Sequence, residues 1–141
     1  MSEVPKPLTG RCLCGGVTYS SEGDPIAQGG CHCEDCQRQS GSPFSVFIAV
    51  PLDSFTVEGD TLSSFATVGT DHGQETVRHF CSGCGSPIYS SSPLLPNVAL
   101  IKAGSLDDSS WIEPQLEVWT SSKQPWAPHV GAPTTMERGP G

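Results

Sequence analysis

Basic residues are scarce in this chain: seven Lys and Arg stand against fifteen Asp and Glu in 141 residues, a formal net charge of −8. So few cations cannot build the broad positive face that a phosphate backbone requires, and nucleic acid is set aside as a partner. Long apolar runs are missing too. No segment approaches the length that crosses a bilayer, and Met1–Leu8 holds no apolar block of signal-peptide length. A soluble, cytoplasmic protein without a membrane partner is the expectation. Charged residues are only 16% and aromatics 7% of the chain, and nowhere does a long helix read through.

Gly and Pro, at 16 and 13 residues, are instead abundant, the composition of short strands joined by many turns. Alternating or apolar runs at Val17–Ser20, Phe44–Val50, Phe55–Glu58, Leu62–Thr67, Thr76–Phe80, Pro87–Ser90, Val98–Gly104 and Gln115–Trp119 predict about eight short strands. Gly59-Asp60 predicts a hairpin joining the third of these to the fourth. Gln37–Ser40 predicts at most one helical turn before Gly41-Ser42-Pro43. Prolines at 125, 128, 133 and 140 exclude a regular ladder in the tail. The expected architecture is all-β, a single domain over residues 9–130 between a flexible arm, 1–8, and a C-terminal tail, 131–141.

Seven cysteines are present, and an odd number at tight spacing argues against a disulfide framework. They lie in three short groups: Cys12 and Cys14; Cys31, Cys33 and Cys36; Cys81 and Cys84. Residues at i and i+2 of an extended segment share a face, and i, i+3 suits the tight turn of a zinc knuckle. Gly15-Gly16 gives the first pair room to turn, and Gly83 is free to take positive φ in the last. A thioredoxin-like role for Cys81 and Cys84 would need a strand-to-helix context, which Gly83, Gly85 and Pro87 deny.

The seven divide into four ligands and three. Cys12, Cys14, Cys81 and Cys84 close a tetrahedron, as structural zinc sites do, while Cys31, Cys33 and Cys36 leave one position for water or substrate, as catalytic sites do. Two readings of the triad stay open here. Either the fourth position is free, or a histidine among His32, His79 and His129 closes it; His32 points away from its neighbours on an extended Cys-x-Cys, and His72 sits in a polar loop expected to face solvent. Three thiolates make zinc a weak Lewis acid for water, so a thiol is the better guest.

The stretches Gly10-Arg11-Cys12-Leu13-Cys14-Gly15-Gly16-Val17-Thr18-Tyr19, Cys31-His32-Cys33-Glu34-Asp35-Cys36-Gln37-Arg38-Gln39-Ser40-Gly41-Ser42 and Phe80-Cys81-Ser82-Gly83-Cys84-Gly85-Ser86-Pro87-Ile88-Tyr89 resemble the glutathione-dependent formaldehyde-activating enzyme family, which includes centromere protein V. Gly104–Asp108 and Trp126 look like its C-terminal landmarks. The resemblance implies a β-tent fold with zinc knuckles and two zinc ions per chain. It implies a structural zinc on Cys12, Cys14, Cys81 and Cys84 and a catalytic zinc on Cys31, Cys33 and Cys36. The implied activity is that of a carbon-sulfur lyase resembling S-(hydroxymethyl)glutathione synthase, which joins glutathione to formaldehyde; its partner is a small thiol or thiol adduct such as a glutathione derivative. The alternative it suggests is a non-catalytic, zinc-stabilised protein-interaction module. Arg38, beside the triad, is the candidate to pair with a substrate carboxylate. One departure stands out: where family members often carry His in Pro-x-x-His-Ile-Trp, Pro114–Trp119 has Glu117.

Overall fold

The computed structural model describes residues 3–71 and 73–139; the expectation for His72 lies outside them. In chain order the strands are β1 (Leu8–Arg11), β2 (Thr18–Ser21), β3 (Ala27–Cys31), β4 (Ser45–Pro51), β5 (Phe55–Glu58), β6 (Leu62–Val68), β7 (Glu75–Cys81), β8 (Pro87–Ser92), β9 (Leu95–Lys102), β10 (Leu116–Val118) and β11 (Thr134–Thr135), with one helix, α1 (Glu34–Ser40). The all-β expectation holds. A small sheet runs β1-β2-β5 and a large one β11-β10-β3-β4-β9-β8-β7-β6. Pairing is antiparallel throughout except that β10 runs parallel to both β3 and β11. No helix among the described residues is long and apolar enough to cross a membrane.

Side chains alternate across a strand, so each face of the large sheet has its own character. On one face Ile48 and Val50 of β4, Ile88 of β8, and Ala99 and Ile101 of β9 pack with Leu8 and Tyr19 of the small sheet and with Val17, which precedes β2, forming the main core. Leu8 thus opens β1 as a buried residue, at the end of the stretch expected to be a flexible arm. Phe47, Ala49, Val98 and Leu100, one residue out of step, lie on the opposite face. That face carries the functional region.

Three local differences from the sequence expectation have physical causes. The run Phe55–Thr67 is not a hairpin: β5 pairs with β2 and β6 with β7, so the chain changes sheet at Gly59-Asp60. Gly59 has φ 142°, and a Cβ there would collide with the Gly16 carbonyl oxygen, so this glycine lets the departing chain pass against the backbone of the first turn. Helix α1 starts at Glu34, three residues before the expected turn, because the Cys33 sulfur accepts the Cys36 N–H at 3.4 Å and serves as its N-cap. It stops as expected, at Gly41 with φ 63°. Finally, Ile26–Gly30 reads as a connector, yet Ala27–Cys31 is β3, and a Cβ at Gly29 would meet the Leu116 carbonyl of neighbouring β10.

Gly59→Ala is expected to destabilise the protein by about 2 kcal/mol, through both strain and the collision, read as a lower urea midpoint at unchanged slope. An unchanged midpoint would contradict this account of the crossover.

Candidate metal centre

Two loops that the fold brings together hold the first cluster. The turn after β1 carries Cys12 and Cys14; the end of β7 and the turn into β8 carry Cys81 and Cys84. Their backbones match: Gly15 N–H donates to the Cys12 carbonyl and Gly85 N–H to the Cys81 carbonyl, with φ 79° and 81° at the two glycines. Gly85 therefore takes the left-handed conformation expected of Gly83. The sulfurs of Cys12 and Cys14 lie 3.6 Å apart and those of Cys14 and Cys81 3.7 Å apart, with all four within 4.8 Å of one another. Bonds of about 2.3 Å to a tetrahedral zinc require sulfurs about 3.8 Å apart. Val17 N–H donates to the Cys12 sulfur and Gly16 N–H to the Cys14 sulfur. The set fits a divalent metal and is compatible with zinc.

The second cluster forms where β3 runs into α1. Cys31 ends β3, Cys33 caps the helix and Cys36 is its buried residue, and their sulfurs lie within 4.8 Å of one another. Among the described residues no histidine or carboxylate joins them. Nε2 of His32 instead donates to Glu117 Oε1 at 2.8 Å, His79 lies 3.2 Å from the Ser91 hydroxyl and stacks on Tyr89, and His129 is exposed. The reading in which His32 points away from the cysteines agrees with this geometry.

Glu117 and His32 are 2% and 0% exposed, and the Lys123 ammonium lies 3.6 Å from the same carboxylate. Burial opposes the charge of Glu117, but the His32 hydrogen bond and Lys123 outweigh it and hold the carboxyl below its ordinary range. The departure at position 117 is thereby explained locally: the glutamate is the partner of the histidine inside the triad. Gln37 adds a clamp, donating to the carbonyls of His32 and Ser122 at 2.7 and 2.9 Å.

Two cations that sequence reading passed over sit beside the triad. Arg78 and Lys102 are 5% and 8% exposed; Arg78 Nη1 donates to the Cys36 sulfur at 3.7 Å, and Lys102 Nζ to Ser45 Oγ at 2.7 Å. Cys36 is held well below the ordinary thiol range by hydrogen bonds from Cys31 and Cys33, with the charges of Lys102 and Arg78 adding to them. Burial pushes the Lys102 ammonium down, partly offset by Cys36. Three thiolates and one divalent ion carry a formal −1, which two buried cations turn to +1. The donor set fits a metal with one position left for an anionic ligand. A lone cation inside a β-prone run, Lys102 after Val98–Ile101 and Arg78 within Thr76–Phe80, was the available signal.

Arg38 is placed elsewhere. It lies on the exposed side of α1, paired with Glu34 at 3.2 Å, and does not line the cavity beside the triad. That cavity measures about 350 Å³, and Cys31, Cys36, Ser45, Arg78 and Lys102 contribute to its wall. Trp119 is buried, while Trp126 is 69% exposed.

A family model described as glutathione-dependent formaldehyde-activating enzyme matches residues 7–122. A protein of Fusarium vanettenii whose description is that of a glutathione-dependent formaldehyde-activating enzyme is 25% identical, over 79% of this chain and 61% of that protein. The chain thus spans about three-fifths of that relative's length. A crystal structure of a Rhodobacter sphaeroides protein shares the fold with a TM-score of 0.56 at 21% identity, over 70% of this chain and 87% of that one.

Glu117→Ala strands a fully buried His32 and is expected to cost about 3 kcal/mol in urea unfolding, whereas Glu117→Gln, which can still accept the His32 hydrogen bond, is expected to cost less. Equal losses for the two variants would contradict the pairing.

Proposed function

The chain belongs to the glutathione-dependent formaldehyde-activating enzyme family, and from that premise we propose that it is a zinc-dependent carbon-sulfur lyase, forming or breaking the bond between a small thiol and a carbonyl carbon, with residues 9–130 as the unit that carries the activity. The observation behind the reading is the triad itself: three sulfurs gathered within 4.8 Å, joined by no histidine, carboxylate or further cysteine among the described residues, with a cavity against them. Zinc held by Cys31, Cys33 and Cys36 would supply a position at which substrate sulfur is stabilised as thiolate. A glutathione derivative is the family's example of the thiol.

In the adduct-forming direction the thiol sulfur bonds to the carbonyl carbon, the carbonyl π pair moves to oxygen, and the thiol proton ends on that oxygen. No oxidant or reductant is consumed. Negative charge grows on oxygen, and Arg78 and Lys102 are fixed cations in a site sheltered from water, where such charge is stabilised most. Ser45 holds the Lys102 ammonium at 2.7 Å. Burial pushes the Lys102 ammonium down, so that its amine can take the proton the thiol gives up and pass it to the forming alkoxide; in the cleaving direction the amine left neutral by that transfer takes the proton back from the adduct's hydroxyl. Cys12, Cys14, Cys81 and Cys84 take no part in this chemistry; a zinc there would fasten the two turns. The alternative, a zinc-stabilised interaction module, gives no role to two cations buried beside a sulfur cluster that lines a cavity.

Cys36→Ser is expected to leave a folded protein that keeps about one of its two zinc ions and loses more than about 100-fold of its turnover, followed by NMR as exchange between free thiol and hydroxymethyl adduct. Cys81→Ser is expected to unfold the chain, as loss of near-ultraviolet circular dichroism. Full turnover in Cys36→Ser would exclude the mechanism.

A further inference from the structure

Over β4, β9 and β10 the face of the large sheet turned away from the main core is largely apolar. Phe47 and Ala49 on β4, Val98 and Leu100 on β9, and Leu116 and Val118 on β10 line the cavity that reaches Cys31 and Cys36. Most of these are only partly buried, whereas their neighbours Ile48, Ala99 and Ile101 are fully packed. A row of half-buried aliphatic side chains stays partly hydrated until something apolar covers it. The polar side chains of the same cavity are Ser45, Thr76, Arg78, Ser90 and Lys102, of which Arg78 reaches the Cys36 sulfur.

Two of those polar groups lack partners. The Thr76 hydroxyl and the Arg78 Nε, on residues 3% and 5% exposed, make no hydrogen bond. Buried polar atoms are otherwise almost always satisfied, and these two can donate to an oxygen. The chamber therefore asks for a molecule with one polar, anion-forming end near Cys36 and an apolar body. Glutathione is a poor match, because its two carboxylates, ammonium and two amides would meet walls of Phe47, Val98, Leu100 and Leu116 that cannot hydrogen-bond to them. At about 350 Å³ the chamber is at the small end of ligand sites.

Resting on the reading of the triad as an open thiol-binding centre, we propose that the substrate class of this chain is a hydrophobic thiol, alkyl or arylalkyl, and its hydroxymethyl adduct with formaldehyde, in place of glutathione. The sulfur lies at the cysteine triad, the adduct oxygen accepts hydrogen bonds from Arg78 and Thr76, and the hydrocarbon body covers the β4, β9 and β10 face. The bond that forms and breaks is the same carbon–sulfur bond, with formaldehyde as the carbonyl partner.

The test is calorimetric titration of the zinc-loaded protein with glutathione, butanethiol, hexanethiol and octanethiol, with size-exclusion chromatography alongside. Affinity is expected to rise about fourfold per added methylene across the alkyl series, to exceed that of glutathione at least tenfold at octanethiol, and to fall several-fold for octanethiol in Val98→Gln at unchanged zinc content. Glutathione binding as tightly as octanethiol, or an affinity flat with chain length, would overturn the substrate class while leaving the open thiol centre standing. A dimer that buries the chamber and excludes octanethiol would overturn it in favour of a second copy as the occupant. Absence of binding by every thiol would overturn the open centre and this inference with it.

Discussion

Cys14 and Cys81 are 67 positions apart in sequence and their sulfurs 3.7 Å apart, and the rest of the molecule is arranged around that closure. Before a metal binds, four cysteines in two loops are a liability, since closing so long a loop costs entropy and gathers potential negative charge. Once a divalent ion sits among them the sign reverses. Binding to a preorganised thiolate set then adds on the order of 10 kcal/mol to folding at neutral pH, a large term for a chain of this size. The closure joins the small sheet, which begins at β1, to the end of β7 in the large one, and so fixes the two layers between which Ile48, Ile88 and Ile101 are packed.

Because that closure secures the fold on one side of the large sheet, the other side is released from forming a core. Strands β4 and β9 sit at the middle of the sheet, paired from Phe47–Lys102 to Pro51–Val98. Ile48 and Val50 with Ala99 and Ile101 serve packing, Phe47 and Ala49 with Val98 and Leu100 line a chamber, and a one-residue slip in register would exchange the two. The same pairing sets Ser45 and Lys102 near the point where β3 delivers Cys31. Positioning of the triad depends equally on β10: His32 N–H donates to the Val118 carbonyl, and Glu117, on the strand's other face, anchors the His32 ring. Cations thus lie on one side of the triad, and between its cysteines the His32 ring is fixed through Nε2 to Glu117.

The two cysteine groupings were legible in the sequence, because candidate metal ligands are declared by spacing within a turn, and Cys-x-Cys or Cys-x-x-Cys needs no knowledge of distant strands. Strand-prone runs were legible for the same local reason. What could not be read was register. Lys102 and Arg78 face the triad only because of which strands pair and in which phase, and neither fact is local. Arg38, chosen for its nearness in sequence, lies on the outer side of α1, since two residues beyond Cys36 on a helix turns the side chain well away from it. The early start of α1 was hidden because a cysteine is an unusual N-cap, and β3 because Gly29-Gly30 reads as a linker when its glycines are there to admit the close approach of β10 and Phe44.

The proposed function rests on the electrostatics of the second cluster: with a divalent ion held by three thiolates, the two buried cations would leave a positive remainder for an incoming thiolate to neutralise. Cobalt substituted for zinc reports directly on such a site through its ligand-field and thiolate charge-transfer absorption. Adding a thiol to the cobalt-loaded protein is predicted to intensify and shift the absorption of one of the two metal ions, as a fourth sulfur enters, and to leave the other unchanged. A spectrum of two tetrahedral sites that no thiol perturbs would contradict the claim that one metal is left a donor short.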